Sequence, residues 1–231
     1  MNSSQSGLRG RRRRWAEQWP AWSEGPGADA FECNVRTVSD WLPTAGRVLD
    51  AGAGEGRLSA RLAARGCDVV AVDVNEALAG AVLAGRGIRA LAGDLVALPF
   101  RDAAFDTTVC FMALQEISEV GRALAELARV TRPAGRLVVS TSHPFSTLLS
   151  RATDGSLAVS RDYTARRLYR RRKTRGGLSI EFQGFQHTVR DYLGGLGQYG
   201  WQLLDFRETA WADDEQWARV PRYLQFMCTR S

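Results

Sequence analysis

The segment that most restricts the fold of this chain is an apolar run, residues 48–51, followed at once by three alternating glycines. Gly52, Gly54 and Gly56 have no Cβ atom, so the backbone can turn tightly there and can approach a ligand closely. Residues 57–65 follow with helical spacing, and a helix presents free backbone N–H groups at its start. The segment predicts a buried strand, a glycine-rich loop and a helix, a unit that binds nucleotide-like ligands in many proteins.

Short apolar runs alternate with helical patterns along most of the chain. Such an alternation indicates a parallel sheet that helices cover on both faces. The predicted fold class is therefore α/β, with a Rossmann-like, seven-stranded and mostly parallel sheet. We expect strands at residues 48–51, 68–72, 88–92, 105–111, 136–141, 178–185, 201–206 and 223–228, and helices at residues 57–65, 75–85, 120–131 and 188–199.

Three segments depart from this alternation and define the predicted domain organisation. Residues 1–14, rich in Ser, Gly and Arg, are expected to form a disordered basic tail. Residues 15–45 hold four of the seven tryptophans and are expected to form an aromatic cover, with one short helix and a second near residues 29–41. Within the core, residues 46–231, a polar and basic stretch with weak periodicity predicts an insertion on the substrate side at about residues 145–186.

Positive charge is concentrated in two arginine runs. The 231-residue chain has a net charge of +6, with five arginines in residues 9–14 and six arginines plus Lys173 in residues 166–175. Without the first run the remaining chain is nearly neutral, so a uniform nucleic-acid-binding surface is not expected. The longest uncharged stretch, residues 137–150, is shorter than the roughly 20 apolar residues that a membrane-spanning helix needs.

The cysteines and histidines are too few and too scattered to predict a metal centre. The four cysteines, Cys33, Cys67, Cys110 and Cys228, form no CxxC pair, and the chain has only two histidines. We therefore expect no metal, no disulfide scaffold and a cytoplasmic protein with reduced thiols.

Two carboxylates stand at the ends of the next two predicted strands. Asp73 closes the second strand, where a carboxylate can accept hydrogen bonds from both hydroxyls of a ribose. Asp94 follows Gly93 after the third strand and is placed to accept a hydrogen bond from an adenine amino group. The ribose carboxylate fits NAD equally well, but the glycine spacing is GxGxG, with Asp50 two residues before the first glycine, rather than the GxGxxG of dinucleotide sites.

Together these features resemble the class I S-adenosylmethionine-dependent methyltransferases over about residues 46–142. The resemblance rests on the LDAGAGEG loop, Asp73, the GDLVALPF segment, Phe105-Asp106 and the ELARVTRPAGRLVV segment. Ala134 stands where the family commonly has glycine, a small-for-small change. The motifs are specific for the cofactor class and weak for the substrate.

The resemblance implies S-adenosylmethionine as the cofactor and assigns roles around it. The glycine loop would line the methionine part above Asp50, while Asp73 would bind the ribose and Asp94 the adenine. Val74 and Leu95 would flank the adenine, and a carbonyl at the end of the fourth strand would accept from the ammonium. The implied cofactor-binding residues are Asp50, Gly52, Ala53, Gly54, Gly56, Asp73, Val74, Asp94, Leu95, Cys110 and Phe111.

The expected acceptor is a small organic molecule, aromatic or a specialised metabolite. Methyl transfer needs a nucleophile held in line, and a phenol, acid or amine must also lose a proton. His143, after the fifth strand, and His187, before the last helix, are candidate general bases; each can equally be a histidine bonded to backbone. The candidate substrate-binding residues, which can equally pack the cover onto the core, are Trp15, Trp19, Trp22, Met112, Gln115, Phe145, Tyr163 and Tyr169.

Three other functions are compatible with parts of this pattern. An RNA methyltransferase fits the arginine runs, but residues 110–113 read Cys-Phe-Met-Ala, without the motifs that hold a flipped base. A non-methylating enzyme or binder can use the same scaffold, because a fold alone does not determine a function. The glycine spacing does not fit an NAD-dependent oxidoreductase. The expected partner is thus a small-molecule acceptor, with no nucleic acid and no membrane, and with the oligomeric state open.

Overall fold

The computed structural model describes residues 18–25, 27–76, 87–210 and 215–231. In chain order its strands are β1 (Arg47–Ala51), β2 (Asp68–Asp73), β3 (Arg89–Ala92), β4 (Phe105–Phe111), β5 (Thr131–Ser142), β6 (Leu149–Arg151), β7 (Leu157–Val159), β8 (Leu168–Arg175), β9 (Leu178–Phe185), β10 (Trp201–Ala210) and β11 (Pro221–Arg230). Its α-helices are α1 (residues 18–24), α2 (Ala28–Thr37), α3 (Arg57–Ala64), α4 (Val120–Val130) and α5 (Val189–Leu193).

Seven strands form one sheet in the order β3-β2-β1-β4-β5-β11-β10. The strands β1 to β5 pair in parallel, whereas β11 lies antiparallel to both β5 and β10. The predicted Rossmann-like, seven-stranded and mostly parallel sheet is therefore confirmed. The strands β6 to β9 form two antiparallel hairpins in the segment between β5 and α5.

Helices cover both faces of this sheet, as the alternation predicted. Successive strand residues point to opposite faces, so Leu49 packs in the core under α4 and Val48 in the core under α2 and α3. Leu124 of α4 and Leu62 of α3 are fully buried in these two cores. Within the described residues, no helix has the length and apolar character needed to cross a membrane.

The predicted last helix, residues 188–199, is interrupted in the structure. α5 ends at Leu193, and a separate 3-10 turn, Leu196–Tyr199, follows two glycines that weaken a continuous helix. Thr188 caps the start of α5, where Thr188 and Asp191 each accept the other's backbone N–H in a capping box.

Other predicted bounds also differ from the structure, among them the end of the strand predicted at residues 201–206, which extends to Ala210. The second N-terminal helix ends at Thr37 instead of near residue 41. β5 begins five residues before the predicted position, at Thr131, because its first residue pairs with Phe105 ahead of a register shift. The predicted helix at residues 75–85 lies largely outside the described residues, as do residues 1–14.

The strand β8 is absent from the predicted elements, because its basic sequence has no apolar alternation. In the structure it pairs with β9 along its whole length, from Leu168 opposite Phe185 to Arg175 opposite Leu178. The long aliphatic stems of Arg and Lys can cover apolar surface, so a basic strand can still pack. The Lys173 ammonium, for example, lies 5.0 Å from the centre of the Phe182 ring.

Candidate cofactor and acceptor site

The loops after β1 and β4 meet at the carboxyl edge of the sheet. β1 lies between β2 and β4, so the chain reverses its direction of progress across the sheet at this point, which is where open α/β sheets bind ligands. A Cβ atom at Gly52 would lie 2.3 Å from the Cβ of Ala113, and the φ of Gly52 is +80°. Only glycine fits there, because the two loops are in direct contact.

The glycine loop is tied to β2 by backbone hydrogen bonds. The N–H groups of Gly52 and Ala53 donate to the Val72 carbonyl at 2.8 and 3.0 Å. The N–H of Gly54 donates to Asp73 Oδ2 at 2.9 Å, and Asn75 N–H donates to Asp73 Oδ1 at 2.8 Å. A carboxylate oxygen can accept more than one hydrogen bond, so a carboxylate that anchors a loop can also accept ligand hydroxyls.

Asp50 lies in the protein interior beneath the loop. Its Oδ2 accepts a 2.6 Å hydrogen bond from Ser59 Oγ, and its side chain is almost completely buried. Desolvation raises the pKa of Asp50 to about 7, and the negative charges of Asp73 and Glu55 contribute in the same direction. A cationic group bound near this carboxyl would oppose that effect and favour ionisation.

The ends of β2 and β3 form the next part of the same edge. Gly93 N–H donates to the Asp73 carbonyl at 2.9 Å, and a Cβ at Gly93 would lie 2.7 Å from Val72. Val74 is 44% exposed and Asp94 is exposed, with Asp94 Oδ1 accepting from Val96 N–H at 3.1 Å. Leu95, by contrast, places its side chain in the hydrophobic core, which leaves only its backbone for a ligand.

The end of β4 is buried and conformationally unusual. Cys110 is inaccessible, and burial raises the pKa of its thiol. Phe111 packs edge-to-face against Phe31 of α2 at 5.7 Å. Met112 has a φ of +58°, a conformation that is costly for a residue with a side chain and is found preferentially at functional sites.

Gln115, in the turn after β4, belongs to a buried polar network. Its Nε2 donates to the Met112 carbonyl, and its Oε1 accepts from Thr141 Oγ1 at 2.9 Å. Thr141 Oγ1 also lies 3.5 Å from the hydroxyl of Tyr192. These contacts orient the Gln115 side chain at the carboxyl ends of β4 and β5.

α1 covers the glycine loop. The indole N–H of Trp19 donates to the Glu55 carboxylate, and the Trp19 nitrogen lies 4.0 Å from the position of a Cβ on Gly54. Trp19 and Trp22 both contact the edge or face of Phe182 on β9, at 6.2 and 5.8 Å between ring centres. Trp22 is buried in this packing. Trp15 lies outside the described residues.

His143 is held by three elements at the end of β5. Its backbone N–H donates to the Arg222 carbonyl at 2.8 Å, and its Nδ1 accepts from Phe145 N–H at 3.1 Å. Its Nε2 lies 2.7 Å from a carboxylate oxygen of Glu208 on β10. Since Nδ1 accepts a backbone N–H, the proton of the neutral ring is on Nε2 and is directed at Glu208.

His187 is bonded differently. Its Nε2 donates to the Ile117 carbonyl at 2.7 Å, and its ring packs against Tyr192 at 5.3 Å. In the described part of the chain, Nδ1 of His187 forms no hydrogen bond, so its lone pair is retained. Burial lowers the pKa of His187, which favours the neutral imidazole at neutral pH.

The other predicted acceptor-contacting residues are distributed around this edge. Phe145 is 43% exposed next to His143. The Tyr163 hydroxyl accepts from Val189 N–H at 2.9 Å and so contacts the start of α5. Tyr169 of β8 lies opposite Gly184 of β9, and its hydroxyl lies 2.8 Å from the position of a Cβ on Gly184.

Sequence reasoning did not identify Glu208 or Phe182 as part of this region. Glu208 is 65 residues from its partner His143, and no local pattern marks the pair. Phe182 does lie within the predicted strand 178–185, but its contacts with α1 depend on the packing of the hairpin. Among the described residues, no group of three or more His, Cys, Asp or Glu side chains is placed to hold a metal ion.

The fold and this edge define a class of protein: a Rossmann-like α/β domain with a glycine loop and a carboxylate at the end of the neighbouring strand, at the switch point of its sheet. A family model described as a methyltransferase domain matches residues 49–139. Over those residues the chain is therefore similar to a methyltransferase domain, which supports the predicted resemblance to class I S-adenosylmethionine-dependent methyltransferases.

Known proteins agree with this assignment. A demethylmenaquinone methyltransferase of Renibacterium salmoninarum is 44% identical over 103 residues, which cover 42% of this chain and 42% of that protein. The aligned part therefore spans less than half the length of that relative. A solved S-adenosylmethionine-dependent methyltransferase of Mesorhizobium loti has a TM-score of 0.66 at 20% identity, covering 84% of this chain and 96% of its own.

A solved 1,6-didemethyltoxoflavin N1-methyltransferase of Burkholderia thailandensis, with its substrate and S-adenosylhomocysteine bound, has a TM-score of 0.60 at 20% identity. That comparison covers 100% of this chain and 91% of the other. At such low identity these two structures establish the fold.

Proposed function

We propose that the protein transfers the methyl group of S-adenosylmethionine to a small organic acceptor. The observation that carries this proposal is the glycine loop, packed against Ala113 on one side and bonded to Asp73 on the other. The methyltransferase family match over residues 49–139 supports it, and so does the relative that is named for a quinone substrate.

The residues present fit this cofactor. Glycine has no Cβ, which leaves space along the loop, and a carboxylate at the end of the second strand, the place of Asp73, is the type of group that accepts ribose hydroxyls. An adenine would cover the exposed side chain of Val74, and its amino group would donate a hydrogen bond to the carboxylate of Asp94. Asp50 provides the only carboxyl directly beneath the described part of the loop, on the side assigned to the methionine amino group.

When bound, S-adenosylmethionine supplies a methyl group that its sulfonium activates toward displacement. The protein positions the acceptor and excludes water from the site. Trp19 and Trp22 close the loop side, and Gln115 is held rigidly at the end of β4. An acceptor fixed between these elements would react with the advantage of an intramolecular step.

His187 is the better placed of the two candidate bases. Its Nδ1 keeps a lone pair, and its lowered pKa favours the basic, neutral form. Both ring nitrogens of His143 are engaged, one by Phe145 N–H and one by Glu208, which suits a role in holding the loop after β5. General-base catalysis by one positioned histidine contributes about 10²–10⁴-fold to rate.

The test begins with thermal-shift titrations of the full chain with S-adenosylmethionine, S-adenosylhomocysteine and NAD. A ligand specific for the native state stabilises it by about 2.7 kcal/mol at 100 times its dissociation constant. We expect shifts with the two sulfur compounds and none with NAD, followed by transfer of label from a methyl-labelled donor to members of a phenol, quinone, amine and carboxylate panel. Binding of NAD in their place would contradict the proposal.

A further inference from the structure

The arginine run at residues 166–175 lies mostly on β8, and the proposed methyl transfer does not by itself use it. Alternate strand residues point to opposite faces, so Tyr169 and Arg171 share one face while Arg170 and Arg172 share the other. Arg170 and Arg172 are exposed, whereas Tyr169 and Arg171 are partly buried. The run therefore consists of a solvent-facing row and a second row directed at the protein.

Arg171 is desolvated without an acidic partner. Its guanidinium donates to the Leu149 carbonyl, and in the part of the chain that the structure describes it forms no ion pair with a carboxylate. Burial and the positive charges of Arg161 and Arg222 lower the pKa of Arg171. A partly buried cation next to other cations is unfavourable unless an anion joins them.

Arg161 completes this arrangement from the loop after β7. Its Nη1 donates to the Thr147 carbonyl at 2.6 Å, and its Cζ lies 5.2 Å from the centre of the Tyr169 ring. No carboxylate of the described residues forms an ion pair with Arg161. Two guanidinium groups therefore lie close to Tyr169, and backbone carbonyls are the only hydrogen-bond acceptors that the described protein gives them.

A cleft of about 570 Å³ opens at the same place. Its lining includes Arg161, Tyr169, Arg167, Arg170 and one carboxylate, Asp162, whereas Arg171 is a neighbour of the lining residues Arg161 and Tyr169. Asp162 is already engaged by the N–H and hydroxyl of Thr164, both at 2.9 Å. A recess lined by three arginines and one carboxylate concentrates anions, although the charge of Glu116, outside the lining, also acts on Tyr169.

Tyr169 connects this cleft to the acceptor side of the sheet edge. Because Gly184 has no side chain, the tyrosine lies across it, and a Cβ there would meet both the Tyr169 hydroxyl at 2.8 Å and the Gln115 carbonyl at 2.9 Å. Gln115 is in the 3-10 turn after β4, on the side of the sheet where the acceptor is expected. The Tyr169 hydroxyl thus lies near the backbone of this turn.

We propose that the acceptor carries an anionic group, a carboxylate or a phosphate, and that Arg161 and Arg171 bind this group beside Tyr169. The planar guanidinium can donate two parallel hydrogen bonds to either group. The identity of the ligand as acceptor rests on the proposed function, whereas anion binding at the cleft does not. An RNA backbone would instead use the exposed Arg172, which does not line the cleft.

The test is isothermal titration calorimetry of the full chain, with and without S-adenosylhomocysteine. The probes are benzoate and phenyl phosphate, with neutral benzamide as the uncharged counterpart, each to about 20 mM. We expect at least one anion to bind about 10-fold or more tightly than benzamide. A preference for benzoate would assign a carboxylate, and a preference for phenyl phosphate would assign a phosphate.

Variants separate the two rows of arginines. R161Q and R171Q should each weaken anion binding about 10-fold and leave benzamide unaffected, while R172Q on the exposed face of the same strand should change neither. R171K retains the charge and controls for loss of folding; it should give an intermediate affinity. S-adenosylhomocysteine should bind all four variants as it binds the parent protein.

Several outcomes would overturn the proposal. One is equal binding of benzoate, phenyl phosphate and benzamide, and another is the absence of saturable anion binding. A third is a loss of anion affinity in R172Q equal to that in R161Q and R171Q. Tight binding of a short single-stranded RNA that R172Q weakens and R171Q does not would assign the run to nucleic acid instead. If S-adenosylhomocysteine fails to bind while the anions do, the methyl-transfer proposal fails and the anion site stands.

Discussion

Gly54 donates its backbone N–H to Asp73 Oδ2 at 2.9 Å, which joins the glycine loop after β1 to the end of β2. The same carboxylate accepts Asn75 N–H with its other oxygen. Asp73 therefore shapes the loop before any ligand arrives. Under the proposed function the same carboxylate binds the ribose, so that one side chain would couple the geometry of the loop to the recognition of the cofactor.

Asp73→Asn tests this coupling. The amide oxygen can still accept Gly54 N–H, but the amide loses the charge and half of the acceptor capacity, so S-adenosylhomocysteine should bind about 10-fold or more weakly by calorimetry. The matched control is Asp68→Asn at the exposed, opposite end of β2, where Asp68 pairs with Arg89. Equal affinities of the two variants would contradict the ribose role.

Gly52→Ala tests the contact between the loops after β1 and β4. The added methyl group would lie 2.3 Å from Ala113 at a φ of +80°, so overpacking and backbone strain should together reduce the free energy of unfolding by about 2–4 kcal/mol. Urea denaturation gives the value. Gly197→Ala is the control, since its Cβ would have open space, and it should change stability by less than about 0.5 kcal/mol. An equally small change in G52A would mean that the loops separate easily.

The raised pKa of Asp50 predicts that the free energy of unfolding of the ligand-free protein declines as the pH rises from 5 to 8. Its pKa is about 7 in the folded state and near 3.8 when unfolded, so in this range the folded state holds a proton that the unfolded state releases. Asp50→Asn should therefore remove about 2–3 kcal/mol of that pH dependence. Urea denaturation at several pH values measures it.

Asp106→Asn controls the Asp50 experiment. Hydrogen bonds from Arg47 N–H and Arg132 lower the pKa of Asp106, so its stabilisation is complete above pH 4 and is lost only at lower pH. Asp106→Asn should therefore reduce the free energy of unfolding by the same amount at pH 5 and at pH 8. A D50N profile parallel to that of the parent protein would show that Asp50 is already ionised in the fold.

His187 should titrate below 6.5, because burial disfavours its charged form. With only two histidines in the chain, NMR titration of the imidazole C–H signals, assigned with H143Q and H187Q, measures the value directly. As pH falls below 6.5 the unfolded state takes up a proton before the folded state does, so His187 reduces stability at acid pH. A pKa at or above 6.5 would exclude a desolvated base at this position.

Much of the cofactor side of the site could be predicted from sequence, since its signals are local. The strand at residues 48–51, the glycines and Asp73 follow each other within one strand-loop-helix-strand unit. Parallel strands bring their carboxyl ends to one edge, so the position of Asp94 at the same edge as Asp73 follows once the order of strands is known. The capping box of Thr188 and Asp191 is equally local, three residues apart.

The acceptor side could not be predicted to the same extent. β8 carries arginines where a strand pattern needs apolar residues, so neither its existence nor the division of its arginines between two faces is visible in the sequence. The pair of Gly184 and Tyr169 depends on the register of a hairpin, and a shift of one residue would reverse every face.

The amino-acid sequence alone determined the α/β class, the glycine loop and the type of cofactor-binding edge, because strand and helix periodicity and the absence of a Cβ act over a few residues. Only the tertiary structure decided which histidine keeps a free lone pair, that Trp19 reaches Glu55, and that Arg161 joins Arg171 beside Tyr169. Those contacts connect side chains from separate elements, and packing and strand register set the distances between them.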